Sequence, residues 1–153
     1  LAMTEGHDIG YVGEVERVNP EVIRILEQNN FIPVISPIGV DQEGQTYNIN
    51  ADTVAAEIAM ALKADKLVLL TDMRGICRDA ADPRTLIGNL HAGELEGLIE
   101  QGIVRGGMIP KVRACRKAIE AGVGSVHILD GRLPHALLIE LFTDQGVGTM
   151  IRP

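Results

Sequence analysis

Tryptophan is absent from the 153 residues, and two tyrosines and two phenylalanines leave aromatics at 3%. A core must therefore be built from Leu, Ile, Val and Ala, which a hydrophobic content of 46% supplies. Basic charge is also short. Fourteen Lys and Arg stand against 21 Asp and Glu, for a net charge of −7. That balance argues against nucleic acid as a partner, because its binders carry a basic face. No apolar run approaches the roughly 20 residues that cross a bilayer. No basic n-region precedes an apolar h-region either, so neither a membrane span nor a secretory signal is expected. The two cysteines, Cys77 and Cys115, lie far apart without CxxC spacing. They are expected to be free thiols in a reducing cytosol. Internal repeats and low-complexity tracts are missing, and the length fits one domain or a piece of a larger one. The opening Leu1 suggests a segment of a longer chain.

What is present is an alternation of helical and strand-like patterns. Residues 8–18 alternate weakly between apolar and polar, punctuated by Gly10 and Gly13, which predicts a twisted hairpin. Asn19-Pro20 is a capping residue followed by proline, a helix start. Val22, Ile23 and Leu26 then share a face, and the helix should stop near Asn29-Asn30. Residues 31–35 (FIPVI) read as a buried strand, moved towards a sheet edge by Pro33. Residues 41–45 form a turn. Asn50 caps a predicted helix over 51–64, with Val54, Ile58, Ala61 and Leu62 at helical spacing. The apolar run 67–70 suits a parallel strand covered on both faces. A loop follows at 79–84, then helices over 94–101 and 108–121, each stopped by a glycine. Residues 126–129 read as a second buried strand, 134–142 as a helix and 148–151 as a last strand. This alternation predicts an α/β sheet with parallel pairs. Ligands in such sheets sit at the carboxyl ends of strands, where Asp72 and Asp130 lie.

Two segments concentrate chemistry. Tyr47-Asn48-Ile49-Asn50-Ala51-Asp52 offers two amides and a carboxylate at an expected loop-to-helix junction. Either Asn50 caps the helix while Asn48 shapes the turn, or the Asn48 amide meets a substrate carboxylate and Asp52 holds lysine ammonium groups. Gly106-Gly107-Met108-Ile109-Pro110-Lys111 offers backbone that can approach a phosphate without a Cβ in the way. Lys111 falls in the first turn of the following helix, where a cation opposes the helix dipole. A bound anion would compensate, whereas the alternative is a surface lysine after a flexible turn. The segment is not a GxxxxGK[ST] phosphate loop. The stretch from Thr71 to Ile76 follows a buried strand and suits a nucleotide edge or an ordinary turn. His7 and His91 read as exposed loop residues, His127 as a strand histidine satisfied in the core, and His135 as a residue near a helix start. No histidine pair has metal-ligand spacing, and no serine or cysteine nucleophile signature is present.

Taken together, YNINAD, LLTDMRGI, GGMIPKV, VHILDGR and GxGTMI resemble the C-terminal half of the N-acetylglutamate kinases, a branch of the amino-acid kinase family. The order and spacing hold along nearly the whole chain, and the version here is most similar to the arginine-inhibited enzymes of cyanobacteria and plants. The resemblance implies a carbamate-kinase-like fold, a three-layer αβα sandwich with a mostly parallel sheet. Residues 1–50 would end the N-acetylglutamate-binding lobe, and residues 51–153 would form the ATP-binding lobe with elements of an arginine site. It implies phosphorylation of N-acetyl-L-glutamate by ATP, with Mg2+ carried on the nucleotide and no dedicated protein metal site. Asn48 would bind the acyl substrate, Asp52 would orient catalytic lysines and Lys111 would stabilise the transferring phosphoryl group. Thr71, Asp72, Met73, Arg74, Gly75, Ile76 and Cys77 would line the ATP site with Ile103, Val104, Arg105, Gly107 and Met108. His127, Glu140 and Gly146 would hold L-arginine as feedback inhibitor. The nitrogen-signalling PII protein, a homo-oligomer built as a hexamer of dimers, and a location in the cytoplasm or plastid stroma are implied too. The family's N-terminal half, with its glycine-rich strand, second lysine and substrate arginine, has no counterpart here, so the chain alone is expected to be inactive. The competing readings are another amino-acid kinase, such as an aspartate or uridylate kinase, and an inactive nucleotide- or regulator-binding fragment.

Overall fold

A computed structural model describes residues 10–153, together with the backbone of Met3–Thr4 and His7–Asp8. The chain divides into two compact units, Leu1–Leu62 and Lys63–Pro153.

In the first unit, β1 (Met3–Thr4) and β2 (His7–Asp8) pair antiparallel. Among the described residues of 8–18 only Asp8 belongs to a paired strand, and no hairpin is formed by them. Gly10 turns the chain at φ +77°. The backbone beyond it is bonded to Asn48 instead, Gly13 N to Asn48 O at 3.0 Å and Asn48 N to Tyr11 O at 2.8 Å. Helix α1 (Pro20–Gln28) starts as its sequence dictates, with the Asn19 side chain accepting from Glu21 N at 3.1 Å. It ends at Asn29, and Asn30 takes up φ +61° while Phe31 N reaches back to Leu26 O, a Schellman closure with asparagine in the usual glycine place. Of the expected apolar face only Ile23 is buried.

Residues 31–35 depart furthest from expectation. They form no strand, and Ile32 and Val34 are 90% and 94% exposed. A strand needs a neighbour to take up its N–H and C=O groups, and none is supplied by the described residues. A short hairpin follows instead: β3 (Ile38–Val40) pairs antiparallel with β4 (Thr46–Asn48). Its turn is organised by Asp41, whose Oδ1 accepts from Glu43 N and Gln45 N and whose Oδ2 accepts from Tyr47 Oη. Tyr47 and Asn48 are therefore strand residues rather than part of a loop. Helix α2 (Ala51–Leu62) carries its buried positions at Ala56 and Ala59, on the side away from the face the periodicity indicated.

The second unit is a four-stranded sheet in the order β5 (Lys66–Thr71), β7 (Ser125–Asp130), β8 (Thr149–Arg152), β6 (Asn89–His91). The pairs β5/β7 and β6/β8 are parallel, and β7/β8 is antiparallel. Three helices accompany it: α3 (Leu95–Glu100), α4 (Met108–Glu120) and α5 (Ala136–Phe142). Strand β7 is buried along both of its faces, with Val126, Ile128 and Leu129 fully inaccessible. Helices α4 and α5 both pack against it. The α/β class and the mostly parallel sheet flanked by helices are as the sequence predicts. The short strand β6 was missed, since three residues carry no readable periodicity.

Candidate functional site

Strand β5 ends at Thr71, and the loop that follows is built by local bonds. Thr71 Oγ1 donates to Met73 O and accepts from Met73 N, both at 2.9 Å. Gly75 then takes φ +138°, and a Cβ there would stand 2.6 Å from Thr149 Oγ1. That close approach lets Ile76 N donate to Thr149 Oγ1 at 2.8 Å, while the same hydroxyl donates to Ile87 O at 2.8 Å. Thr149 is fully buried at the start of β8, so one hydroxyl fastens the loop to the sheet.

The second contributing segment begins where α3 stops. Gly102 adopts φ +67°, and Ile103 N and Val104 N both bond to Leu98 O, turning the chain back. Val104 is buried, and Arg105 Nε donates to Gly102 O. Gly106 at φ +53° and Gly107 lead into α4, and the space where a Cβ would stand on either is open to 4 Å. Lys111 is half-buried in the first turn of α4.

These two segments converge on one cavity of about 340 Å³. Of the residues singled out from the sequence, Met73, Gly75, Ile76, Cys77, Ile103, Val104, Arg105 and Met108 line it. Thr71, Asp72, Arg74 and Gly107 flank it without lining it, and Lys111 is not in its wall. Arg78, Asp79, Ala80 and Gly102 are lining residues that sequence reasoning missed. Arg78 adjoins Cys77 in a loop without periodicity, and only its neighbourhood could have pointed to it. The buried lining residues Ile76 and Val104 are apolar, and the exposed charged ones are Arg78, Asp79 and Arg105. Burial pushes the Cys77 thiol above its usual range, with Arg74 opposing, so this cysteine is a protonated wall residue rather than a nucleophile.

In the first unit Asn48 is exposed at the end of β4, and Asn50 caps α2 by accepting from Thr53 N at 3.1 Å. Asp52 is half-buried in the first turn of that helix. An open cleft of about 1240 Å³ also belongs to this unit.

His127, Glu140 and Gly146 meet in the second unit. His127 is buried in β7, and its Nδ1 donates to Glu140 Oε1 at 2.8 Å. Glu140 Oε2 accepts from Val147 N at 2.7 Å and Gly148 N at 3.1 Å. Burial raises the Glu140 carboxyl, but His127 and the two backbone donors together hold it below its ordinary value. Gly146, at φ +58°, lies so close that a Cβ would stand 2.7 Å from Glu140 Oε2. Ser125 Oγ bonds to the other imidazole nitrogen, His127 Nε2, at 3.1 Å, a partner that no motif in the sequence indicates. Asp130, at the end of β7, is occupied by Arg132 through two side-chain bonds of 2.8 and 2.9 Å, which bring its carboxyl down to about 2. These bonds brace the end of the strand. Among the described residues no group of three or more His, Cys, Asp or Glu converges as a metal set, and no helix is long and apolar enough to cross a membrane.

Comparison with known proteins matches this geometry to a family. The acetylglutamate kinase of Moorella thermoacetica is 58% identical over 146 residues, covering 95% of this chain and 49% of that protein. The acetylglutamate kinase of Archaeoglobus fulgidus is 56% identical over 95% of this chain and half of its own length. The chain thus spans about half the length of the curated relatives it matches. Among solved structures, N-acetylglutamate synthase from Neisseria gonorrhoeae complexed with coenzyme A and L-arginine superposes with a TM-score of 0.87. It is 33% identical over 99% of this chain and 35% of its own. Carbamate kinase from Giardia lamblia bound to AMP-PNP gives 0.69 at 26% identity, over 90% of this chain and 45% of its own. The sequence pattern of the amino acid kinase family matches residues 1–130, and the chain belongs to that family.

Proposed function

We propose that this chain is the nucleotide-handling part of an acetylglutamate kinase. The reaction moves the γ-phosphoryl group of ATP to the γ-carboxylate of N-acetyl-L-glutamate, giving N-acetyl-L-glutamyl 5-phosphate and ADP in arginine biosynthesis. The supporting observation is the identity of 52% to 58% to acetylglutamate kinases, running along 94% to 96% of the chain. The cavity formed by the segments around Ile76 and Val104 is consistent with it. The adenine would lie on Met73, Ile76 and Met108, and the phosphates would run towards the open space before Gly106 and Gly107.

The attacking carboxylate is ionised at neutral pH, so no general base is required. The obstacle is repulsion between two anions, which positioning and cationic stabilisation overcome. In this reading the Asn48 amide binds the acyl substrate, Asp52 orients lysine ammonium groups and Lys111 meets the charge on the transferring phosphoryl group. Magnesium arrives on the ATP phosphates and supplies further neutralisation there. Residues 1–50 end the acyl-substrate lobe and residues 51–153 form the ATP lobe. His127, Glu140 and Gly146 would receive the guanidinium of L-arginine, as in the arginine-sensitive branch, with PII, hexamer assembly and a cytoplasmic or plastid setting following from that branch. The chain corresponds to the C-terminal half of such an enzyme and is inactive without the other.

A second reading is favoured by the Neisseria synthase, which covers 99% of the chain and was solved with L-arginine. On that reading the chain is an arginine-binding unit without phosphoryl transfer. Calorimetry separates the two. Saturable ATP binding, weakened in Lys111→Ala, supports the kinase, whereas arginine binding with no response to ATP supports the second reading. Coupled ADP release with N-acetylglutamate should be near zero for this chain alone, and native-level turnover would sink the claim that it is incomplete.

A further inference from the structure

We propose that Arg78 is a nucleotide-binding residue whose guanidinium lies on the outward face of the purine base that rests on Ile76. The proposal depends on the kinase reading for the identity of the ligand and deepens it, since no motif in the sequence singles Arg78 out.

A short ladder positions this arginine. Ile87 N donates to Ile76 O at 2.8 Å and Arg78 N donates to Thr85 O at 3.0 Å, with Cys77 bridged antiparallel to Leu86 between them. Side chains alternate along an extended strand, so Ile76 and Arg78 share a face. Ile76 is buried, Arg78 is exposed, and both line the cavity of about 340 Å³. One face of the ladder thus passes from an apolar wall to a cation at the mouth. The loop behind keeps the ladder closed: Thr85 Oγ1 accepts from Asp79 N at 3.0 Å and donates to Asp82 O at 2.7 Å.

The guanidinium has nothing of the chain's own to bind. Among the described residues it makes no hydrogen bond and no ion pair. Both acids of the same loop are engaged elsewhere, Asp79 Oδ1 by Ala81 N at 2.9 Å and Asp82 by Arg84 through two side-chain bonds of 2.9 Å. Arg105, across the cavity, is tied through Nε to Gly102 O. Arg78 is therefore the lining arginine whose donors and flat face are all available. A guanidinium is planar and weakly hydrated, and it stacks on aromatic rings. In the kinase reading the phosphates run towards Gly106 and Gly107, while Arg78 shares its face with Ile76, against which the base lies. A base with one face on apolar side chains leaves the other to water, and the guanidinium covers it.

Calorimetry on the 153-residue chain with ATP, ADP and inorganic tripolyphosphate tests this. Arg78→Leu should weaken ATP and ADP by the same factor, about fivefold, and leave tripolyphosphate binding unchanged. Arg78→Lys keeps the charge but loses the plane, so it should recover only part of the loss. Thermal unfolding of Arg78→Leu without nucleotide should match the wild type, because the guanidinium has no partner to lose. In the wild type, ATP should move the Arg78 Nε proton resonance upfield through the ring current of the base. A loss that grows from ADP to ATP, or that extends to tripolyphosphate, assigns Arg78 to the phosphates and overturns the proposal. Unchanged affinities in Arg78→Leu also overturn it, while wild-type ATP binding leaves the kinase reading standing. A wild-type chain that binds neither nucleotide rejects the kinase reading and the proposal together.

Discussion

Single hydroxyls and carboxylates decide how the candidate site is held. Thr149 is the sharpest case, because its Oγ1 joins Ile76 N to Ile87 O in a fully buried position. Thr149→Val keeps the volume but leaves a buried N–H and C=O without partners, at a cost of about 1–3 kcal/mol. Urea unfolding should read that loss, and ATP affinity should fall with it as the loop over the cavity loosens. Glu140 offers a pH test. Its native carboxyl lies below the ordinary 4.5, so its stabilisation is complete above about pH 4.5 and is lost as pH falls through the native value. Glu140→Gln should cost about 1.5–3 kcal/mol near neutrality and flatten the decline in urea midpoint as pH falls below the ordinary carboxyl range. A variant with an unchanged decline would show that another carboxyl controls acid stability. The sequence made His127, Glu140 and Gly146 legible through family resemblance. It could not show that Ser125 and the Val147 and Gly148 N–H groups complete the cluster, because these contacts depend on tertiary closure.

At the scale of elements, what was legible is what local chemistry governs. Asn19-Pro20 fixed the start of α1, and Gly102 and Gly122 marked helix stops because positive φ suits glycine. Strands β5 and β7 were recognisable as continuous apolar runs within a residue of their observed ends, but only β7 is buried on both faces, whereas β5 buries Leu67 and Leu69 and exposes Leu70. What failed needed a partner. Residues 31–35 have strand composition and no strand, and residues 8–18 have weak alternation whose hydrogen bonds go to Asn48 instead. The turn over residues 41–45 set by Asp41 was visible, but the hairpin it closes was not, since each of its strands has three residues. The cap on α1 can be tested directly. Asn19→Ala removes the acceptor for Glu21 N and should cost about 1 kcal/mol, read as loss of helix at residues 20–28 by exchange protection. Gly at position 19 should recover most of it, and an Asn19→Ala variant with unchanged protection at residues 20–28 would mean that the cap bond contributes nothing.

For the whole molecule, the distribution of buried apolar side chains sets the order of unfolding. Among the described residues of the first unit, the buried apolar side chains are Ile23, Ile49, Ala56 and Ala59, two of them alanines. The second unit buries Leu95, Val112, Cys115, Ala118, Val126, Ile128, Leu129 and Ile151 to complete or nearly complete inaccessibility. Burial of a Leu, Ile or Val stabilises by about 1.5–3 kcal/mol, so the two units cannot have equal free energies of opening. Strand β7, paired on both edges and buried on both faces, should be the last backbone to exchange. Residues 31–36, without regular structure and largely exposed, should be cut first in limited proteolysis. Urea should therefore separate an early change in Tyr11 and Tyr47, which stack edge to face at 6.0 Å in the first unit, from a later loss of sheet signal. Both tyrosines of the chain lie in that unit, so their fluorescence reports it alone, while circular dichroism follows mainly the second. Coincident midpoints by both probes would reject the asymmetry. Leu95→Ala sharpens the argument, because a fully buried leucine costs about 2–5 kcal/mol on truncation. It should move the later transition and leave the tyrosine signal where it was.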